Sequence, residues 1–163
     1  MNATLKRIVS GGQSGVDRAA LDVALESGIP CGGWCPRGRL AEDGRIDDRY
    51  PLEETPSEAY EQRTMWNVRD ADATLIVALR SPLTGGTQFT EQVADALGRP
   101  CHVALLEEHA SITITADWLQ RHAVGTLNVA GPRESGAPGV YLRARVFLTN
   151  LMRFLHEDAR FES

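Results

Sequence analysis

Apolar positions along this chain fall into short continuous runs, and between the runs they recur at a helical spacing. Leu5 to Ser10 is a short apolar run with β-branched residues, the pattern of a buried strand, and it stops at Gly11-Gly12. A helix is predicted from Gly15 to Ser27, with Val16, Ala20, Val23 and Ala24 on one face and Gly28 as its stop. Ile29 to Gly33 reads as a second, weaker strand. Thr74 to Leu79 is the clearest strand, carrying Leu75, Ile76, Val77 and Leu79. Thr87 opens a helix that runs through Leu97 and ends at Gly98. Cys101 to Leu106 is a fourth strand, Ala116 to His122 a shorter helix with Thr115 as its cap, and Gly125 to Val129 a fifth strand. The last helix is predicted from Pro138 to Glu157, with a core stripe of Val140, Ala144, Phe147, Leu148, Leu151 and Leu155.

The stretch from Trp34 to Thr55 shows neither period. Loops of that length in a compact domain are functional or disordered. A helix to about Arg69 is expected to follow it, with Thr55 as N-cap, Pro56 at the first helical position and Glu58 completing a capping box. Strands alternating with helices imply an α/β fold with a parallel sheet and right-handed crossovers. Glycine-rich loops follow the first and third strands. The order 2-1-3-4-5 makes those strands neighbours, so their loops could share one ligand at the switch point. With no repeat, low-complexity tract or linker, residues 1–163 are expected to form one domain.

Composition narrows the partners. Hydrophobic residues are 42% and charged residues 24%, as in a globular chain. A net charge of −5 argues against nucleic acid, which needs a basic stripe, but leaves room for a small anionic ligand in a locally basic pocket. No signal peptide is expected, since Met1 to Arg7 is short and polar with no apolar segment after it. No run is long enough to span a membrane, and a cytoplasmic location is expected. Cys31, Cys35 and Cys101 read as reduced thiols, with Cys31 and Cys101 in or beside strands as small apolar residues, and Cys31-x3-Cys35 lacks the second pair that a zinc site needs. His102, His109, His122 and His156 form no ligand-spaced cluster, so no metal site is expected.

Two loops carry candidate chemistry. Ser10 to Asp17 joins the carboxyl end of a strand to the amino end of a helix, where glycines let a ligand approach and the positive helix end favours an anion. It is neither G-x-G-x-x-G nor a Walker loop. The same residues could instead be a tight turn needing positive φ. Ser14 and Asp17 also read as a capping-box variant, with Asp17 capping the helix or pairing with Arg18. Thr84 to Glu91 has the same placement, and Thr87 could cap the helix or donate to a phosphate. Arg63 and Asn67 share a helix face, with Tyr60 three residues earlier. A surface salt bridge is the alternative role for Arg63. Arg37, Arg39 and Arg133 are further cations within possible reach of an anion.

Gly11 to Asp22, Gly33-Trp34, Pro36 to Arg39, Ala41 to Gly44, Tyr50 to Leu52, Arg63-Thr64, Trp66 to Val68, Asp72 to Ile76, Gly85 to Thr87 and Leu127 to Ser135 together resemble the molybdenum carrier family. The resemblance covers nearly the whole chain. It implies a three-layer Rossmann-like fold within the lysine-decarboxylase-like, or Lonely Guy, superfamily. It also implies a homodimer or homotetramer that binds molybdenum cofactor as cargo and shields it until a molybdoenzyme apoprotein takes it. Under this resemblance the cofactor phosphate sits on Gly11, Gly12, Gln13, Ser14 and Gly15. Thr84, Gly85, Gly86 and Thr87 take further anionic oxygens, and Asp17, Arg63 and Asn67 flank the site.

The superfamily also contains enzymes that cleave nucleoside monophosphates, with a second loop reading P-G-G-x-G-T-x-x-E. Here Thr84 replaces the proline, one glycine is missing, and Glu91 falls four residues after Thr87 instead of three. One helical position is about 100° of rotation, so Glu91 does not occupy the catalytic place by default. The departure favours a binding protein. A nucleotide N-glycoside hydrolase using Glu91 as acid or base, and a nucleotide-derivative sensing module, are the alternatives.

Overall fold

A computed structural model describes residues 5–108 and 110–161. Met1 to Thr4 and His109, which entered the readings above, lie outside the described residues. The elements are β1 (Arg7–Val9), α1 (Val16–Ser27), β2 (Cys31–Gly32), β3 (Trp34–Cys35), β4 (Leu40–Ala41), β5 (Gly44–Arg45), β6 (Glu53–Glu54), α2 (Tyr60–Asp70), β7 (Ala73–Ala78), α3 (Gly85–Ala96), β8 (Cys101–Leu105), α4 (Ile112–Arg121), β9 (Thr126–Ala130) and α5 (Val140–Phe161). The main sheet has five parallel strands in the order β2-β1-β9-β7-β8. Helix α5 packs along α1 and touches α4 on one face, while α2 packs on α3 on the other. The three-layer Rossmann-like architecture is therefore as expected.

The strand order is not the expected one. In the numbering of the five predicted strands it is 2-1-5-3-4, because the fifth strand inserts between the first and third. Burial supplies the reason. Leu127 and Val129 of β9 are fully buried, and β7 is buried along its whole length. Strands covered on both faces belong in the middle of such a sheet. In β8 only Ala104 is buried, which suits an edge. Leu127 consequently faces Ile8 on one side and Ala73 on the other.

Helix starts also move, that of α5 from Pro138 to Val140. Thr55 does not cap α2. Its N–H donates to Cys35 O at 2.8 Å and Arg37 N–H donates to Ser57 O at 2.9 Å, which holds residues 55–57 beside β3 until the helix begins at Tyr60. α4 starts at Ile112, where Ser111 Oγ accepts from Ile114 N–H at 3.2 Å. Thr115 lies inside that helix. α3 starts at Gly85, two residues before Thr87.

The segment from Trp34 to Thr55 is ordered rather than irregular. β3 pairs with β6 in parallel, and β4 with β5 as a hairpin. Arg39 is 8% exposed and donates to the carbonyls of Ile46, Leu52, Asp47 and Tyr50. A guanidinium used this way, with Asp48 at 3.7 Å as its ion partner, is a scaffold for the segment and has no charge left over for a ligand. Ile46, Tyr50, Cys35 and Leu21 form a small core beneath it. The Tyr50 hydroxyl donates to Asp22 at 2.6 Å, and burial with that partner pushes its pKa up to about 12. Arg39→Met should remove a charge-assisted donor from all four carbonyls, leaving Leu52 O without its partner, and cost about 3 kcal/mol. Limited proteolysis should then cut first within residues 36–54; cleavage no faster than in the parent protein would contradict this role.

Among the described residues, no helix is long and apolar enough to cross a membrane.

Candidate functional site

The carboxyl ends of β1, β9 and β7 open onto one cavity of about 460 Å³. Three loops and α2 form its walls.

The loop after β1 is closed on itself. Gly12 and Gly15 have φ of 76° and 79°, and a Cβ at Gly15 would lie 2.4 Å from Pro132 O. Gly12 N–H donates to Ser10 Oγ, Gln13 N–H to Asp17 Oδ2, and Ser14 N–H to Gln13 Oε1. These amides end on internal acceptors instead of facing outward. Asp17 is 3% exposed, and its carboxylate occupies the place an anion would take against the Gln13 amide. Its ion partner is Arg63 Nη1 at 3.0 Å, not Arg18, which bonds Gly12 O and Asp43. Burial raises the Asp17 pKa, with Arg63 opposing. Ser14 bonds Glu42 and accepts from Glu134 N–H. From this loop, Gln13 and Asp17 line the cavity, while Gly11, Gly12, Ser14 and Gly15 shape the turn.

The loop after β7 is open. Thr84 precedes the 12-residue α3 in an extended conformation with no side-chain cap. Thr84, Gly85, Gly86 and Thr87 all line the cavity, and a Cβ at Gly85 or Gly86 would meet nothing within 4 Å. The first amides of a helix lack intrahelical acceptors, and its dipole adds partial positive charge there. This is the geometry that takes an anion. Thr90, three residues after Thr87, lines the cavity with its hydroxyl bonded to Gly86 O at 2.9 Å, whereas Glu91 is exposed and outside the lining.

Helix α2 adds Arg63 and Tyr60. Asn67 lies one turn further on and is outside this cavity: its amide accepts from Trp34 N–H at 2.8 Å and donates to Trp34 O at 2.9 Å, pinning β3 to the helix. Of the third wall, Ala130 at the end of β9 and Gly131 to Arg133 after it, the sequence singles out only Arg133, as a further cation at a strand's carboxyl end. The Arg133 guanidinium lies 5.2 Å from the Tyr60 ring centroid and that of Arg63 5.5 Å from it, so both cations border one aromatic ring. Gly131 and Pro132 were visible as a loop at a strand's carboxyl end. Only a central position for β9 brings them to this cavity.

Among the described residues, two donors in the lining have no acceptor. Gln13 is 5% exposed and its Oε1 accepts from Ser14 N–H at 3.0 Å and Glu42 N–H at 2.8 Å. Its Nε2 and the Arg63 Nε are buried without a hydrogen-bond partner.

Residues 8–152 match the model of a family described as circularly permutated YpsA SLOG. The chain is also similar to a solved structure named "Putative molybdenum carrier protein" from Syntrophus aciditrophicus SB, at 41% identity and a TM-score of 0.85, covering 91% of this chain and 95% of that one. No curated protein gives a significant match.

Proposed function

The chain belongs to the circularly permutated YpsA SLOG family, and from that premise we propose that it is a carrier that binds a small anionic ligand in the cavity at Gly85–Thr87, with molybdenum cofactor as its cargo. The observation that carries this reading is the uncapped start of α3, open at Gly85 and Gly86, in a cavity that Arg63 and Arg133 also line. The cofactor is a pterin bearing a terminal phosphate and a dithiolene that holds an oxo-metal. Its phosphate belongs at the α3 end and not on the Gly11–Gly15 loop, whose amides at Gly12, Gln13 and Ser14 are already bonded internally. Delivery to a molybdoenzyme apoprotein from a homo-oligomer belongs to the same reading.

The permutation supports the location. If β9 and α5 are moved to the front of the chain, the order 2-1-5-3-4 becomes 3-2-1-4-5. Those are the first five strands of the doubly wound dinucleotide-binding order, whose ligands sit where the winding reverses. The reversal falls between β9 and β7, and the cavity lies across their two loops. The hydrolase alternative gains nothing, since Glu91 is exposed and a threonine stands at the motif position of the acid.

Gly86→Asp tests the reading cleanly. The new side chain meets open space and, in the first turn of a helix, favours the fold. Stability should stay within about 0.5 kcal/mol of the parent protein. Retention of molybdenum cofactor through gel filtration, followed by pterin fluorescence, should fall at least about tenfold, because a carboxylate displaces charge-assisted bonds to the ligand. Undiminished retention in Gly86→Asp would remove the α3 end from the site.

A further inference from the structure

We propose that the cavity has a second seat, at Gln13 and Arg63, which takes an uncharged hydrogen-bond acceptor of the ligand such as a carbonyl oxygen or a ring nitrogen, and that the Gln13 side chain selects for it. This rests on the anion end being at Gly85–Thr87.

The orientation of the Gln13 amide is fixed. Its Oε1 receives N–H donors from Ser14 and Glu42. A flipped amide would turn NH₂ toward both donors, so the nitrogen must take the other direction. Ser14 and Glu42 line a neighbouring groove and not this cavity, whereas Gln13 lines the cavity itself. The two ends of the amide therefore serve opposite sides of the loop. Nε2 is buried, donates to nothing, and belongs to a residue 95% withdrawn from solvent (5% exposed). Buried donors are rarely left unpaired, and each exception calls for a partner. Arg63 presents the same condition next to it: Nη1 is taken by Asp17 at 3.0 Å and Nε has no acceptor.

Charge decides what that partner is. At the α3 end the uncapped helix start faces the ligand with partial positive potential. Beside Gln13 and Tyr60 both guanidiniums already have carboxylate partners, Arg63 the buried Asp17 at 3.0 Å and Arg133 Glu42 at 4.0 Å. A second anion placed there would meet Asp17 without a free cation. A neutral acceptor satisfies both N–H groups and brings no charge. The cavity is thus polarised, anion seat at one end and neutral acceptor seat at the other. Its ligand is an anionic ester whose organic part carries acceptor atoms.

The test uses the full chain, two probes and one variant. Uridine 5′-monophosphate offers a phosphate and neutral carbonyls; phenyl phosphate offers a phosphate on an apolar ring. Q13E keeps the acceptor for Ser14 and Glu42, turns the donor into an oxygen and, when ionised, adds a negative charge that weakens any anionic probe. By calorimetry the parent protein should bind the uridine ester about tenfold more tightly than the phenyl ester. Q13E should erase that preference by weakening the uridine ester about tenfold more than phenyl phosphate. Protonating the introduced carboxyl at acid pH should restore part of the preference, which a purely structural role for Gln13 would not do. In ¹⁵N spectra the Gln13 NH₂ pair should shift with the uridine ester and not with phenyl phosphate. Equal affinity of the parent for both probes, or equal weakening of both by Q13E, overturns the second seat and leaves the anion end standing. Failure of the parent to bind either probe overturns both.

Discussion

Arg63→Met is expected to destabilise the protein by roughly 3–5 kcal/mol at neutral pH, the cost of leaving one member of a buried ion pair alone. Arg63 and Asp17 meet at 3.0 Å with side chains 13% and 4% exposed. A methionine keeps most of the packing and removes only the charge and the donors. The pH dependence then identifies the cause. Burial raises the folded pKa of Asp17 above its ordinary value of 3.8, with Arg63 opposing. A carboxyl raised on folding contributes most stability below its unfolded pKa and loses that contribution as pH rises through the folded value. Without Arg63 the folded pKa climbs further, and ionising Asp17 costs more. The deficit of Arg63→Met relative to the parent should therefore widen from mildly acid to neutral pH. Urea denaturation at both conditions measures it. Adding Asp17→Asn should recover much of the loss at neutral pH. A deficit independent of pH, or one that Asp17→Asn fails to relieve, would show that packing and not charge is lost.

Gly131→Ala is expected to cost about 3 kcal/mol, although it adds one methyl group. Its Cβ would lie 2.1 Å from Val77 O and 2.7 Å from Val16 Cγ2. The first is backbone in a fully buried strand and the second is the first side chain of α1, so neither has room to yield. The change pushes the β9 loop away from β7 and widens the cavity between them. Binding of molybdenum cofactor should weaken with stability. Gly86→Ala is the control, because its Cβ meets nothing within 4 Å, and it should stay within about 0.5 kcal/mol of the parent. A Gly131→Ala protein as stable as that control would mean that the loop accommodates the methyl.

The elements were legible where a local period marks them. Leu75, Ile76 and Val77 stand in β7, and Val140, Ala144, Phe147, Leu148 and Leu151 form the buried stripe of α5. Strand order was not legible, because Leu127 and Val129 look alike at an edge or at a centre until their neighbours are known. The Trp34–Thr55 segment hid its order for a different reason. Its organiser is Arg39, a charged residue that works through backbone carbonyls, and no hydrophobic pattern reports that. Thr55-Pro56-Ser57-Glu58 carries every local sign of a helix start, yet two backbone bonds to the β3 region override it. At the site, Thr84–Thr87 and Arg63 could be picked out from placement after a strand and on a helix face. Tyr60 and Arg133 could also be singled out, but that they meet across one cavity follows only once β9 is known to lie next to β7. In the loop after β1, its own Asp17 and Gln13 consume the amides, an outcome that only side-chain positions reveal.

The central place of β9 has a consequence for how the chain is made. On the ribosome, the β1–β2 pair and the β7–β8 pair are both complete before Thr126 has been synthesised. Until then the inner edges of β1 and β7 have unpaired N–H and C=O groups, the kind of template that recruits strands from other chains. Pairing β1 with β9 also joins residues about 120 positions apart, Arg7 to Thr126, so the closing contact is of high contact order and slow to form. Until β9 is made, the β1–β2 and β7–β8 pairs lack the strand that joins them and the cavity between their loops lacks a wall, so both open edges stand exposed to neighbouring chains.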